Sequence, residues 1–345
     1  MKRMTRLIGA VAAATALILA AGCSGSDDDK KTEAGAAPGG QLEKVTYLTG
    51  AGILGRESYV YVAMEKGFFS EAGFDVQVQP GKGTEPNLKL LQSGAVDFAV
   101  LDITAALISY GKGTSKDFTI VSAIQQRNLA CFMAFSGSGI STPKDLEGKK
   151  IAYIPGGIVK TLFDTYAKLA GVDPTKVTWV TTPPENLVKV LAAGSVDAAT
   201  QFVVGKPQIE NAAKAKSQTA VVLPFSDQLT NLYGNGLGVS KKLATDNPDK
   251  VKRFNTAMLK GLQYALDNPD EAGQIYTKYQ KTQPAPVAAA EMKLMIPYAK
   301  SSGIALGALD EQKATQNVAA LQSGGAIPGT INPKDVINFD VVAKS

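Results

Sequence analysis

The chain has 345 residues, with 36 Lys and Arg against 31 Asp and Glu, two cysteines and no histidine. The lack of histidine excludes Ser-His-Asp and Cys-His catalysis, His-ligated zinc and a histidine pH switch. The formal net charge of +5 falls to +2 once residues 1–22, with Lys2, Arg3 and Arg6, are removed, and so near-neutral a balance argues against nucleic acid as a partner.

Residues 1–22 read as a secretory signal peptide: a basic start, then an apolar run from Leu7 to Ala21. At 15 residues the run is shorter than the roughly 18 that a spanning helix needs. Leu19-Ala20-Ala21-Gly22-Cys23 is similar to a bacterial lipobox, with the leucine one position further from the cysteine than usual. That resemblance implies cleavage before Cys23 and lipidation of its thiol, with acyl chains of the palmitate kind. Two or three such chains anchor stably where one is marginal. The alternative is an ordinary secreted protein with a Cys23–Cys131 disulfide. Cys131 lies in the apolar stretch Leu129-Ala130-Cys131-Phe132-Met133, which suits a buried structural thiol. Residues 23–42 are the cysteine and a flexible linker. Ser24 to Gln41 has no large apolar side chain and cannot bury enough surface to order itself. As a coil it reaches roughly 20–25 Å.

Beyond the linker, short β-like runs alternate with helical ones, the pattern of parallel sheets covered by helices. Strands are predicted over 44–49, 74–79 and 96–101, and helices over 59–66, ending at Gly67, and 85–93, ending at Gly94. The same order recurs: strands over 150–154, 177–180 and 196–200, and helices over 158–170, ending at Gly171, and 186–193, ending at Gly194. The letters repeat as well. Asn87-LKLLQS-Gly94-Ala95-Val96-Asp97 matches Asn186-LVKVLAA-Gly194-Ser195-Val196-Asp197 at an offset close to 100 residues. Two homologous α/β lobes follow.

The last third is helical. Val251, Phe254, Met258, Leu262 and Ala265 keep a 3.6 period after the helix start Asp246-Asn247-Pro248, and further helices fit 269–279, 287–298 and 310–323. This block is expected to wrap back onto the first lobe. Two stretches, 118–135 and 232–239, can cross between lobes and make a two-segment hinge with a cleft between them. The first lobe is then 43–126 plus 236–345, and the second 127–235.

Several segments resemble a known family. Tyr61-Val-Ala-Met-Glu65-Lys66-Gly67-Phe68-Phe69-Ser-Glu-Ala-Gly73-Phe74-Asp-Val76 resembles the signature of type II periplasmic binding proteins of the sulfonate, nitrate, taurine and thiamine-pyrimidine-precursor branch. Leu91-Gln-Ser-Gly94-Ala-Val-Asp97-Phe98 and Pro143-Lys144-Asp145-Leu146-Glu-Gly148-Lys-Lys-Ile151 resemble two more of its segments. The resemblance covers most of residues 44–240. It implies a monomeric substrate-binding lipoprotein of an ABC importer, held on the extracytoplasmic face of the membrane and serving a permease and its ATPase. It implies no catalysis, metal or cofactor, and it leaves the substrate open.

Ligands of open α/β sheets sit beyond the carboxyl ends of the strands. Gly50-Ala-Gly52-Ile-Leu-Gly55-Arg56-Glu57-Ser58 follows the first strand and matches G-x-G-x-x-G, but the second strand ends at Gln79-Pro80 with no acid placed for a ribose. The same glycines and helix start suit a smaller anionic or polar group, with Arg56, Glu57 and Ser58 supplying donors and acceptors. Gly83 and Thr84 follow the second strand and Asp102 ends the third. Gly156, Gly157 and Gln201 are their counterparts in the second lobe, and Arg127 and Tyr233 lie on the crossings. Both signs of charge beside Tyr233 and Phe202 suit a small polar or heteroaromatic molecule, first a pyrimidine of the thiamine-precursor kind, then an aliphatic sulfonate, taurine or nitrate. Trp179, between Val177 and Thr181, reads as core. An exported serine enzyme using Ser141 and Lys144 of an S-x-x-K motif is the alternative of another class, but the partner motifs S-D-N and K-T-G are missing.

Overall fold

The computed structural model describes residues 41–155 and 157–342. Cys23, the signal segment and the linker to residue 40 lie outside the described residues, as does Gly156. The described chain opens with β1 (Glu43–Leu48), α1 (Ser58–Glu65), α2 (Phe68–Glu71), β2 (Phe74–Gln79), α3 (Thr84–Gln92), β3 (Phe98–Asp102), α4 (Ile103–Gly111) and β4 (Phe118–Ala123). It continues with β5 (Ala130–Phe135), β6 (Lys150–Tyr153), α5 (Ile158–Thr161), α6 (Phe163–Ala170), β7 (Thr178–Thr181), α7 (Leu187–Ala192), β8 (Ala198–Phe202), α8 (Lys206–Lys214) and β9 (Ala220–Pro224). It closes with β10 (Asn235–Ser240), α9 (Lys241–Asp246), α10 (Pro248–Asp267), α11 (Pro269–Tyr279), α12 (Ala285–Ala299) and α13 (Glu311–Ser323).

The strands form two five-stranded sheets of the same design, ordered β2-β1-β3-β10-β4 and β7-β6-β8-β5-β9. In each, three parallel strands are followed by one antiparallel strand that arrives from the other sheet's chain segment. β5 follows β4 through residues 124–129 into the second sheet, and β10 follows β9 through residues 225–234 back into the first. These are the two crossings.

The repeated residues do the same work in both lobes. Asp97 accepts a hydrogen bond from the Thr46 amide of β1 at 2.9 Å, and Asp197 accepts one from the Lys150 amide of β6 at 2.8 Å. Each carboxylate thus satisfies an amide of the neighbouring parallel strand, the fourth of β1 and the first of β6, and helps fix the register of the central pair. Gly94 and Gly194 end the preceding helices with φ of 72° and 71°, a left-handed backbone that favours glycine. In the first lobe Asp97 also takes the ammonium of Lys250, which is almost wholly buried and reaches Glu43 as well.

Several elements differ from the sequence expectations. β4 and β5 are buried at every position and β10 at four of six, so they show no alternation and read only as crossing stretches. The helix expected over 158–170 is interrupted at Leu162. The C-terminal block also reaches beyond the first lobe. α10 lays Phe254 against Phe98, with ring centroids 3.8 Å apart, in the first-lobe core. Tyr298 of α12, however, belongs to the apolar cluster of β5, α7 and α8. Ala314, Val318 and Leu321 of α13 share a core with Phe163, Tyr166 and Ala167 of α6. Just past α13, a Cβ on Gly324 would stand 1.6 Å from Thr165 Oγ1. Both helices lie along the lobes and strap them together.

Candidate functional site

The loops that follow β1 and β2 are laced into one surface. The Gly52 amide donates to Gly81 O and the Gly83 amide to Gly50 O, both at 2.9 Å. Asn87 sits beneath them and donates from its amide nitrogen to Thr49 O at 2.9 Å and Val100 O at 3.0 Å. The backbones approach so closely that a Cβ on Gly81 would lie 1.8 Å from Thr49 O. Glycine here serves close packing of backbone on backbone. Gly83 itself, at φ 100°, gives the turn into α3.

Arg56, Glu57 and Ser58 follow on the same loop, and all three are buried. Arg56 Nε lies 3.4 Å from Glu57 Oε1, and its guanidinium carbon stands 5.8 Å from the centre of the Phe202 ring on the second lobe. This pair bridges the space between the lobes. Glu57 also accepts from Tyr59 Oη at 3.1 Å, and Tyr59 Oη lies 2.8 Å from Tyr47 Oη. Burial pushes the Glu57 carboxyl up against the opposing pull of Arg56, and burial raises both tyrosines well above their ordinary value. The Ser58 hydroxyl is committed to Gly55 O at 2.5 Å. α12 closes the loop from behind: the Arg56 amide donates to Glu291 at 3.0 Å and the Gly55 amide to Gln283 at 2.7 Å. Glu291 is 235 residues away from Arg56 in the chain, and no local signal pointed to it.

At the end of β3, Asp102 caps α4 by accepting from the Ala105 amide at 2.8 Å. Its other oxygen accepts from Asn128 Nδ2 at 3.0 Å, and its amide donates to Thr84 Oγ1 at 3.0 Å. Burial pushes this carboxyl up to about 7 against those hydrogen bonds. Asn235 of β10 pairs with Asp102 across the sheet.

Arg127 and Tyr233 sit at the hinge. Arg127 reaches Ser226 O at 3.3 Å and Asp227 at 3.5 Å on the other crossing, and lies 5.5 Å from the Tyr298 ring centre. The Tyr233 ring is fully buried, and its hydroxyl accepts from the Asp310 amide at 2.8 Å. Both are engaged in joining crossings and straps. In the second lobe, Gly157 caps α5 in extended conformation, and Gln201 is half-buried in β8, level with Cys131 of β5. Cys131 is a free, buried thiol whose pKa burial pushes up. Trp179 packs edge-on against Phe163 at 4.9 Å, half-buried in the second-lobe core.

The structure does not assemble Ser141 and Lys144 into a nucleophile and base. Ser141 Oγ donates to Asp145 at 3.0 Å, and Lys144 Nζ is taken by Glu147 and the Gly171 carbonyl. They cap and brace a short helix. A depression of about 720 Å³ lined by Thr119, Lys241 and Asp340 lies at the opposite end of the first sheet, where β4 starts and β10 stops.

Two lobes of this topology, joined by two crossings, form the periplasmic-binding-protein fold, related to the substrate-binding proteins of ABC importers. The chain belongs to the NMT1/THI5-like family, whose model matches residues 57–272. It is similar to the 4-amino-5-hydroxymethyl-2-methylpyrimidine phosphate synthase of Legionella pneumophila, 24% identical over 63% of this chain and 67% of the relative. It is also similar to the riboflavin-binding protein RibY of Chloroflexus aurantiacus, 27% identical over 61% of this chain and 59% of that one. Among solved structures, the aliphatic sulphonate binding protein SsuA from Escherichia coli superposes with a TM-score of 0.68 at 15% identity, over 85% of this chain and 96% of that one. The nitrate-binding protein NrtA from Synechocystis PCC 6803 gives a TM-score of 0.64 at 16% identity, over 87% of each chain.

Proposed function

We propose that this protein is the extracytoplasmic solute-binding component of an ABC import system. It takes a small polar or heteroaromatic molecule, first a pyrimidine of the thiamine-precursor kind, between its lobes and hands it to a membrane permease. A lipid on Cys23 and the linker behind it keep the receptor at the membrane. The observation that carries the reading is the meeting of Arg56 and Phe202 across the cleft, above the carboxyl ends of both parallel strand sets. A cation and an aromatic ring on opposite lobes can close on a planar polar ligand from two sides. Arg56, Glu57, Gly83, Thr84, Asp102, Gly156, Gly157 and Gln201 are the proposed lining. An aliphatic sulfonate, taurine or nitrate is the second choice of ligand. The test is a thermal-shift panel of pyrimidines, sulfonates, nitrate and flavins, followed by small-angle scattering on any hit. A ligand at 100 times its Kd should stabilise by about 2.7 kcal/mol. A panel with no shift would sink the receptor reading.

A second reading has support in the relatives named as pyrimidine phosphate synthases. On that reading the same cleft makes such a phosphate rather than carrying a solute. Mass spectrometry of the full chain after turnover conditions distinguishes the two: a synthase releases the phosphorylated pyrimidine, while a receptor releases its ligand unchanged.

A further inference from the structure

Asn128 lies on the first crossing and is fully buried. Every polar atom of its side chain is used. One amide hydrogen goes to Asp102 Oδ2 at 3.0 Å, at the carboxyl end of β3. The other goes to Tyr233 O at 2.9 Å, on the second crossing. The side-chain oxygen accepts from the Ala130 amide at 2.8 Å, where β5 begins. Its own backbone amide donates to Leu232 O at 3.0 Å, again on the second crossing. The amide orientation is therefore fixed by its partners: turned over, it would set an oxygen against the Asp102 carboxylate and the Tyr233 carbonyl.

From this geometry we infer that Asn128 is a positioning residue, which ties the packing of the two crossings to the state of the Asp102 carboxylate in the cleft. On this reading, a shift of the crossings against each other separates Asp102 from Tyr233, and the Asn128 amide then releases one of them. An ionised Asp102 accepts strongly and holds the amide, so the crossings stay together. A protonated Asp102, or one neutralised by a ligand donor, weakens that hold. Asp102 is then the acceptor for an N–H donor on the ligand, such as an amino-heterocycle, and closing on it is felt at the hinge. This last step rests on the receptor reading above; the coupling itself does not.

The groups around Asp102 come from each packed element: the Thr104 and Ala105 amides of α4, Thr84 of α3, Asn128 of the crossing and Asn235 of β10. None of these groups is charged. The midpoint near 7 is thus set by burial against hydrogen bonds.

The test uses the full chain without any ligand. The carbon-13 carboxyl signal of Asp102, assigned by its loss in Asp102→Asn, is followed across pH. Amide exchange of peptides spanning 124–129 and 230–236 is followed in parallel, corrected for intrinsic rates. The expected result is one step in both observables at a common midpoint, with the crossings better protected above it against the local opening that breaks the Asn128–Asp102 bond and leaves Asp102 buried. Asn128→Ala should move the carboxyl midpoint to higher pH and abolish the step in exchange. Asp102→Asn, which keeps a hydrogen-bond acceptor and the fold, should also abolish that step. Asp102 titrating while wild-type crossings keep constant protection would overturn the inference, as would an exchange step that survives in Asn128→Ala. Because no ligand is present, either result is independent of whether the panel finds one.

Discussion

Asp102 shows how one residue can be legible by position and illegible in state. It ends a strand that the sequence marks, but its elevated pKa comes from burial, which outweighs the hydrogen bonds from Ala105 and Asn128, and no local pattern shows that burial. The sign of the effect on stability follows from linkage. A carboxyl whose folded pKa is raised above its unfolded one adds stability below the unfolded pKa, and that stability is lost as pH rises through the folded pKa, here about 7 against an ordinary 3.8. Asp102→Asn should therefore match the wild type near pH 4 and exceed it by roughly 2–4 kcal/mol at pH 8. Urea titrations at both pH values check this, and equal pH slopes for the two proteins would refute it. Arg56 belongs to the same scale. Arg56→Met leaves Glu57 buried without its cation and should cost about 3 kcal/mol, whereas Phe202→Ala removes only the facing ring and should cost about 1 kcal/mol. Denaturant midpoints of the two variants at pH 7 measure the difference.

Between whole elements, the repeat gives an internal comparison. Asp97 and Asp197 make the same bond to the amide of a neighbouring parallel strand, but only Asp97 also holds a buried lysine. Removing Asp197 should cost about 1 kcal/mol, the usual worth of one such bond. Removing Asp97 should cost about 3 kcal/mol, because Lys250 keeps only the half-exposed Glu43 as its partner. Chemical denaturation of Asp97→Ala and Asp197→Ala tests the ranking. Equal losses would mean that Lys250 finds other compensation.

At the scale of the whole molecule, α12 and α13 pack on both lobes. α13 reaches from the first lobe to α6 of the second, and Gly324 is the point where only a hydrogen fits against Thr165. Its φ of −84° suits any residue, so the backbone itself tolerates alanine there and only the contact resists it. Gly324→Ala should push the strap from α6, lower stability by about 1–3 kcal/mol and widen the molecule in small-angle scattering. A variant that is destabilised yet keeps the wild-type scattering curve would show that α13 does not restrain the lobes.

The scaffold is legible in local patterns of the chain. Alternating strand and helix patterns, the glycine-ended helices and the repeat from Asn87 to Asp97 and Asn186 to Asp197 are local signals, because a helix period, a strand alternation or a glycine end is set by residues near one another in the chain. They gave the parallel strands of both sheets within a few residues, and the loops in which Arg56, Glu57, Thr84 and Asp102 stand. They did not give β4, β5 and β10 as strands, since burial on both faces erases alternation. Nor did they give the partners that tune the cleft. Glu291 behind Arg56, Phe202 across from it and Asn128 against Asp102 meet only because distant segments pack together. The reach of α12 and α13 onto the second lobe is likewise a matter of which apolar faces find each other. These contacts are set by packing in three dimensions, because burial and long-range hydrogen bonding have no sequence period.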